Sequence, residues 1–334
     1  MISSNFTYVK PVPRHFLKIL QIIVSICLLT FVCYKVGLFS EQGRNSFLDV
    51  IKKADLLLLF GSVLIAVLVN MSSALKWSML AHATGLKASY WRFFCYYLVG
   101  QFYNLFLPTS VGGDVVRSYE LGKFTGKHAD SLASVCVERY TGVLVLLALA
   151  GLAVLSQLSV FSVDFVIFSL VLFALVLGFI AWMVFDSRIY LGFKRFLSRK
   201  LPFSLGLFLK LDKLLASVQV YANHRLALVW ALINSLVFYF LAVLNVYITA
   251  LVFDLNINFM DMLIATPIIM LIMNIPLSIG NIGLMEFAYS EVFVLMGYSP
   301  ALGLSVAILM RLKSLLDGLM GGVLQPFFVT RNPE

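Results

Sequence analysis

Apolar and polar positions along this chain segregate on the scale of whole helices. Predominantly apolar runs occupy 17–34, 56–75, 129–155, 161–185, 226–253 and 300–324. Each is near or above the roughly 20 residues that carry a helix across a hydrocarbon core about 30 Å thick. The run 226–253 has no formal charge, whereas 129–155 carries Glu138 and Arg139, and 300–324 carries Arg311, Lys313 and Asp317. Two further apolar runs, 93–107 and 262–275, are too short to span comfortably.

Composition supports a membrane reading. Of 334 residues, 61% are hydrophobic and 12% charged, with a mean hydropathy of +0.97. A soluble domain carries roughly a quarter charged residues, so too few charges are present to cover a water-facing surface of this size. The basic N-terminus ahead of 17–34 imitates a signal peptide. That run ends in Cys33-Tyr34-Lys35-Val36 without a small-x-small cleavage site, so it reads as a retained first helix. Cys27, Cys33, Cys95 and Cys136 form no CxxC pair and read as small hydrophobes in helices. No metal site and no cofactor are expected.

The net charge of +9 raises nucleic acid as a partner, and its distribution argues against it. Residues 186–225 hold eight Lys/Arg against two Asp, interleaved with Phe and Leu. A basic amphipathic stretch of this kind suits anionic lipid headgroups. Cytoplasmic loops are enriched in Lys and Arg, which places the N-terminus, 76–92, 186–225 and the C-terminus in the cytoplasm. The mixed segment 35–55 and the acidic 254–261 then lie outside. Under this topology 93–107 leaves the cytoplasm and must return before Lys123, so it is a half-length helix that breaks near Pro108. Likewise 262–275 breaks at 276–283 and returns outward. The expected fold is an all-α integral membrane protein of about six full transmembrane helices plus two re-entrant half-helix hairpins, in a single polytopic domain of the inner (cytoplasmic) membrane.

The two breaks resemble each other. Pro108-Thr109-Ser110-Val111-Gly112-Gly113 and Pro276-Leu277-Ser278-Ile279-Gly280-Asn281 share Pro, Ser and Gly in register, and a span with a near-central arginine, Arg139 or Arg311, follows each. An inverted repeat follows, with repeat 1 about 1–160 and repeat 2 about 161–334. Paired Gly/Pro interruptions of this kind point to a transporter site near the midplane.

Broken backbone inside a bilayer is tolerated only where protein or a water-filled cavity satisfies it. The first turn of each returning half-helix presents free N–H groups and a positive dipole end, which suits a lipid phosphate. A charge at the centre of a membrane helix costs roughly 2.5–3.5 kcal/mol on insertion scales, so Arg139 and Arg311 need a reason to be there. One is contact with phosphate, which the guanidinium fork matches. The other is a buried ion pair, with Asp114, Glu138, Glu286 and Asp317 as candidate partners. Glu138 and Arg139 are adjacent and do not share a helix face, so each needs another partner. Asp114 and Arg117 fall on one face of the returning half-helix, where Asp114 either caps the helix or serves a substrate or proton. Gly112, Gly113, Ser278, Gly280, Asn281, Gly283 and Glu286 complete the candidate substrate-binding set. No P-loop, GxSxG or HExxH is present, and no polar loop exceeds about 40 residues, which leaves no room for a soluble catalytic domain.

The elements Gly112-Gly113-Asp114-Val115-Val116-Arg117, Glu138-Arg139 and Gly280-Asn281-Ile282-Gly283-Leu284-Met285-Glu286 resemble the flippase-like family, the transmembrane region of lysylphosphatidylglycerol synthase (multiple peptide resistance factor), over essentially the whole chain. Asn281 stands where many relatives carry Gly. The resemblance implies translocation of an anionic or modified lipid, aminoacylated or polyprenyl-linked, between leaflets. The chain given ends at Glu334 without the soluble aminoacyl-transferase domain of full-length synthases, so transport is expected rather than lysyl transfer. Expected partners are membrane lipids, an anionic phospholipid or lipid-linked phosphate, alongside a separate lipid-modifying enzyme or a second copy of the chain. The competing readings are a polyprenyl-phosphate sugar transferase or an accessory to one, and a scaffold acting through 186–225.

Overall fold

In a computed structural model, the described residues are 14–52, 54–105, 107, 112–156, 205–254, 256–275 and 277–328, with isolated positions in 171–178. Most of the expected span 161–185, the first part of the basic segment 186–225, and Pro108 and Pro276 themselves lie outside them.

The described residues are helical and contain no strand. The helices are α1 (Arg14–Val36), α2 (Glu41–Lys52), α3 (Leu56–Ala83), α4 (Tyr90–Asn104), α5 (Gly112–Thr125), α6 (His128–Ser156), α7 (Leu205–Gln219), α8 (Arg225–Leu251), α9 (Phe259–Met273), α10 (Leu284–Leu295) and α11 (Pro300–Phe328). Helices α3, α6 and α8 are long and apolar enough to cross a membrane. The 29-residue α11 is as long, but Arg311, Lys313 and Asp317 lie close together within it. Helices α4 and α9 have 15 residues each, α5 has 14 and α10 has 12. At 1.5 Å per residue none reaches the roughly 30 Å of a bilayer core.

Local chemistry sets the boundaries. Asp55 starts α3 by accepting from the amides of Leu57 and Leu58 at 2.8 and 3.1 Å, and Asn258 starts α9 by accepting from Met260 at 3.0 Å. The segment 35–55, expected as a loop, contains α2. Two of its apolar positions dock inward, Val50 against the core of α8–α11 and Phe47 against Val32 and Leu304, and Glu41 and Lys52 suit the two ends of its dipole. The end of the basic segment forms α7, which docks on α6 through Ser217 Oγ to Asp130 Oδ1 at 2.6 Å. Beyond α7, the Tyr221 hydroxyl donates to the Leu80 carbonyl at 2.9 Å.

The order long, short, short, long appears twice, as α3–α6 and as α8–α11. The two sets interlock: α3 packs on α8, α4 on α11, and α6 on α9. Outward positions are apolar, among them Leu56, Leu57, Phe60, Leu64 and Leu68 on α3. Inward positions on the same helix include Asn70, Ser72, Ser73 and Lys76. This polarity is reversed relative to a water-soluble bundle and is what a hydrocarbon solvent selects.

Candidate functional site

The site is built where each pair of short helices turns. In the first, α4 and α5 approach so closely that a methyl group at Gly113 would collide with the Gly100 carbonyl. The amide of Gly113 donates to Asn104 Oδ1 at 2.8 Å, so one of the amides at the start of α5 is already engaged. In the second, Gly280 (φ 55°), Asn281 (φ 57°) and Gly283 (φ 81°) all take left-handed backbone. Glycine adopts this conformation freely and asparagine tolerates it better than most residues, which accounts for Asn281 in a glycine-like position. The amide of Gly283 donates to Glu286 Oε2 at 2.8 Å.

The two turns meet. Gly280 faces the carbonyls of Asn104 and Leu105, and Gly318 of α11 packs on the Leu105 side chain. Asn104 therefore touches the first turn with its side chain and the second with its backbone. Ser278 is buried at this second turn.

Four charges form a network beside the first turn. Arg139 Nε and Nη2 donate to Asp114 Oδ2 and Oδ1 at 2.6 and 2.7 Å. Arg117 Nε donates to Asp114 Oδ1 at 3.0 Å, and its Nη2 donates to Glu138 Oε2 at 2.6 Å. The adjacent residues Glu138 and Arg139 thus point to different partners. Asp114 accepts from two arginines. The Arg117 guanidinium lies 4.6 Å from the Trp77 ring centroid and 5.2 Å from that of Tyr97, and its Nη1 is buried without a partner. Arg117 is almost wholly buried. Arg139 sits amid Asp114, Glu138 and Tyr97, yet 50% of its side-chain surface is open.

Beside the second turn Arg311 Nε and Nη2 donate to Glu286 Oε1 and Oε2 at 2.5 and 3.0 Å. Nη2 also reaches the Asn281 carbonyl at 2.9 Å. In both turns the arginine lies 25 positions after its carboxylate.

Some buried polar residues had no place in the sequence reading. Lys76 was counted in a basic loop, but it lies within α3 and donates to Ser235 Oγ of α8 at 3.1 Å. Lys313 donates to Asn245 Oδ1 and Thr249 Oγ1 of α8 at 2.7 and 2.6 Å. Asn70, Ser73 and Lys76 recur every three residues on an otherwise apolar helix, and that spacing is the signal that could have found the face. Among the described residues no three His, Cys, Asp or Glu side chains converge as a metal site requires.

The class this architecture defines is a multi-pass helical membrane protein with interrupted helices and buried ion pairs at the interruptions. Within that class, the family described as "Lysylphosphatidylglycerol synthase TM region" matches residues 18–321, and the chain belongs to it. It is also similar to a UPF0104 membrane protein of Methanothermobacter thermautotrophicus, with 22% identity over 306 residues, covering 86% of this chain and 90% of that protein. No solved structure matches. Membership associates the chain with a membrane domain of lipid modification or flipping.

Proposed function

We propose that this protein moves an anionic or modified lipid between leaflets of the cytoplasmic membrane. The short helices α4–α5 would enter as a hairpin from the cytoplasmic side and α9–α10 from the other, as halves of an inverted repeat with both termini cytoplasmic. The lipid phosphate would sit between the two turns while the acyl chains stay in hydrocarbon.

The observation that carries this reading is the pairing of Asp114 with Arg139 and Glu286 with Arg311 at equal spacing, each beside a helix interruption. The carboxylate holds one edge of the guanidinium. On Arg139 half of the side-chain surface is open, so the group is oriented, charged and reachable. A phosphate oxygen can add to it without breaking the pair. The 25% exposure of the Arg311 side chain gives the second turn a narrower opening. Substrate-binding roles follow for Gly112, Gly113, Asp114, Arg117, Glu138, Ser278, Gly280, Asn281, Gly283 and Glu286, mostly through positioning of these two arginines.

The test is exchange of a headgroup-labelled phosphatidylglycerol in reconstituted vesicles, read by quenching of the outer leaflet. Arg139→Gln and Arg311→Gln should lower exchange at least tenfold while the purified proteins elute as folded species. Wild-type exchange rates in both variants would remove the site.

A further inference from the structure

Among the described residues, the charges near the first turn do not sum to zero. Arg117 and Arg139 are matched one for one by Asp114 and Glu138, with every pair within 3.0 Å. Lys76 is a fifth charge-bearing group in the same neighbourhood, electrostatically coupled to Glu138, Arg139 and Arg117. It is 6% exposed, and its hydrogen bond runs to the neutral Ser235. Gly142 leaves it room, since a methyl there would stand 3.1 Å from Nζ. The second turn is different. Arg311 is matched by Glu286, and Lys313 has Asp317 one turn along its own helix, with Asp317 hydrogen-bonded to Asn70 of α3. The protonated first site therefore holds one surplus cation, and the second holds none.

An isolated cation in a low-dielectric interior either finds an anion or gives up its proton. The charged groups around Lys76 are Arg117 of α5 and Glu138 and Arg139 of α6, and beside the same Gly142 lies Tyr239 of α8, whose hydroxyl donates to the Gly142 carbonyl at 3.0 Å. Glu138 is already committed to Arg117, and Asp114 to both arginines. Among the described residues no further acid stands beside Lys76, so the anion that would balance its charge is an incoming one.

We propose that Lys76 is a proton site linked to the lipid site: one phosphodiester anion and one proton, taken from water, bind together as a neutral load. This rests on the transport reading above and deepens it. It assigns the phosphate to the first turn rather than the second, restricts the preferred load to one net negative charge at the phosphate, and makes occupancy depend on pH. Where Lys76 is neutral with the lipid absent, the network balances internally. With the lipid bound the ammonium is matched by the phosphate.

Calorimetric titration of the detergent-solubilised full chain with dihexanoyl-phosphatidylglycerol, in two buffers of different ionisation enthalpy, counts the protons taken up per lipid. The expected result, scanned from about pH 6 to about pH 10, is uptake approaching one proton per lipid at some pH in this range. The apparent affinity should fall up to tenfold per pH unit where the free site is neutral. Lys76→Arg, whose charge is permanent, should keep binding and abolish both uptake and pH slope. Lys76→Met should bind weakly at every pH with no uptake and serves if the arginine does not fold. Tyr97→Phe should leave the uptake unchanged. Lipid binding without proton uptake across the range, or uptake that persists in Lys76→Arg, overturns the linkage while leaving the transport reading intact. Uptake driven equally by inorganic phosphate reassigns the site to a free anion and overturns the lipid load. Failure of the phosphatidylglycerol to bind at any pH, or equal binding by dihexanoyl-phosphatidylcholine, defeats the transport reading and the proposal together.

Discussion

Asp114 is the keystone of the first turn, and replacing it with asparagine gives a sharp test. Its side chain is 8% exposed and accepts from Arg117, which is 1% exposed, and from Arg139, which is 50% exposed. Asp114→Asn leaves Arg117 with Glu138 alone and removes the carboxylate that holds Arg139. Removing one partner of a buried pair costs about 3–5 kcal/mol. The Arg117 contact counts nearly in full, while the half-open Arg139 contact counts for about 1 kcal/mol or less. The expected loss is therefore about 3–4 kcal/mol for Asp114→Asn. It is about 1 kcal/mol for Arg139→Gln, because Asp114 then keeps Arg117. The double variant Asp114→Asn/Arg139→Gln restores charge balance between Arg117 and Glu138. It should sit at least about 1 kcal/mol above the sum of the single losses, the coupling expected of groups in one network. Unfolding in mixed micelles, followed by tryptophan fluorescence as denaturing detergent is added, measures all three. The wiring is wrong if Asp114→Asn costs no more than Arg139→Gln, or if the two losses simply add.

Two further expectations concern packing. A methyl group at Gly321 would run into the Leu98 carbonyl, whereas Gly151 has nothing within 4 Å. Gly321→Ala should therefore force α4 and α11 apart and cost about 1–3 kcal/mol or more, while Gly151→Ala should be neutral or slightly stabilising, both read in the same unfolding assay. Lys35 of α1 and Glu291 of α10 pair at 2.6 Å with 30% and 27% of their side chains exposed. Glu291→Lys should cost roughly 1 kcal/mol or less, and the exchanged pair Lys35→Glu/Glu291→Lys should recover most of it; no recovery would mean the contact is incidental.

The long helices were legible because hydrocarbon leaves a coarse mark. Uncharged runs such as 226–253 can be read from one sequence, and α8 covers Arg225–Leu251. The short helices were legible through a length argument, and α4 and α9 end within three residues of the runs that announced them. What hydropathy cannot record is which way a polar side chain points. Lys76 looked like the start of a cytoplasmic loop because it follows the apolar stretch, yet α3 continues to Ala83 and turns that lysine inward. Segment 35–55 concealed α2 for the opposite reason. Its few apolar residues sit on one face of a short, charged helix, too sparse to register as a run.

The arginines show the limit most clearly. Adjacency alone forces Glu138 and Arg139 to seek separate partners, and this much is a property of helix geometry. It does not say that Asp114 will serve both Arg117 and Arg139, because that depends on the angle at which α5 meets α6. Once the helices are placed, the charges can be counted rather than listed. The count distinguishes two turns that look alike in sequence: Asp114–Arg139 and Glu286–Arg311 are spaced identically. Arg117 and Glu138 add a second balanced pair at the first turn only, and Lys76 lies beside them with no acid left over among the described residues. A lysine whose charge the protein does not itself balance is costly in this environment. Its place beside a half-open, carboxylate-held guanidinium is what the proposed charge balance with an incoming anion rests on.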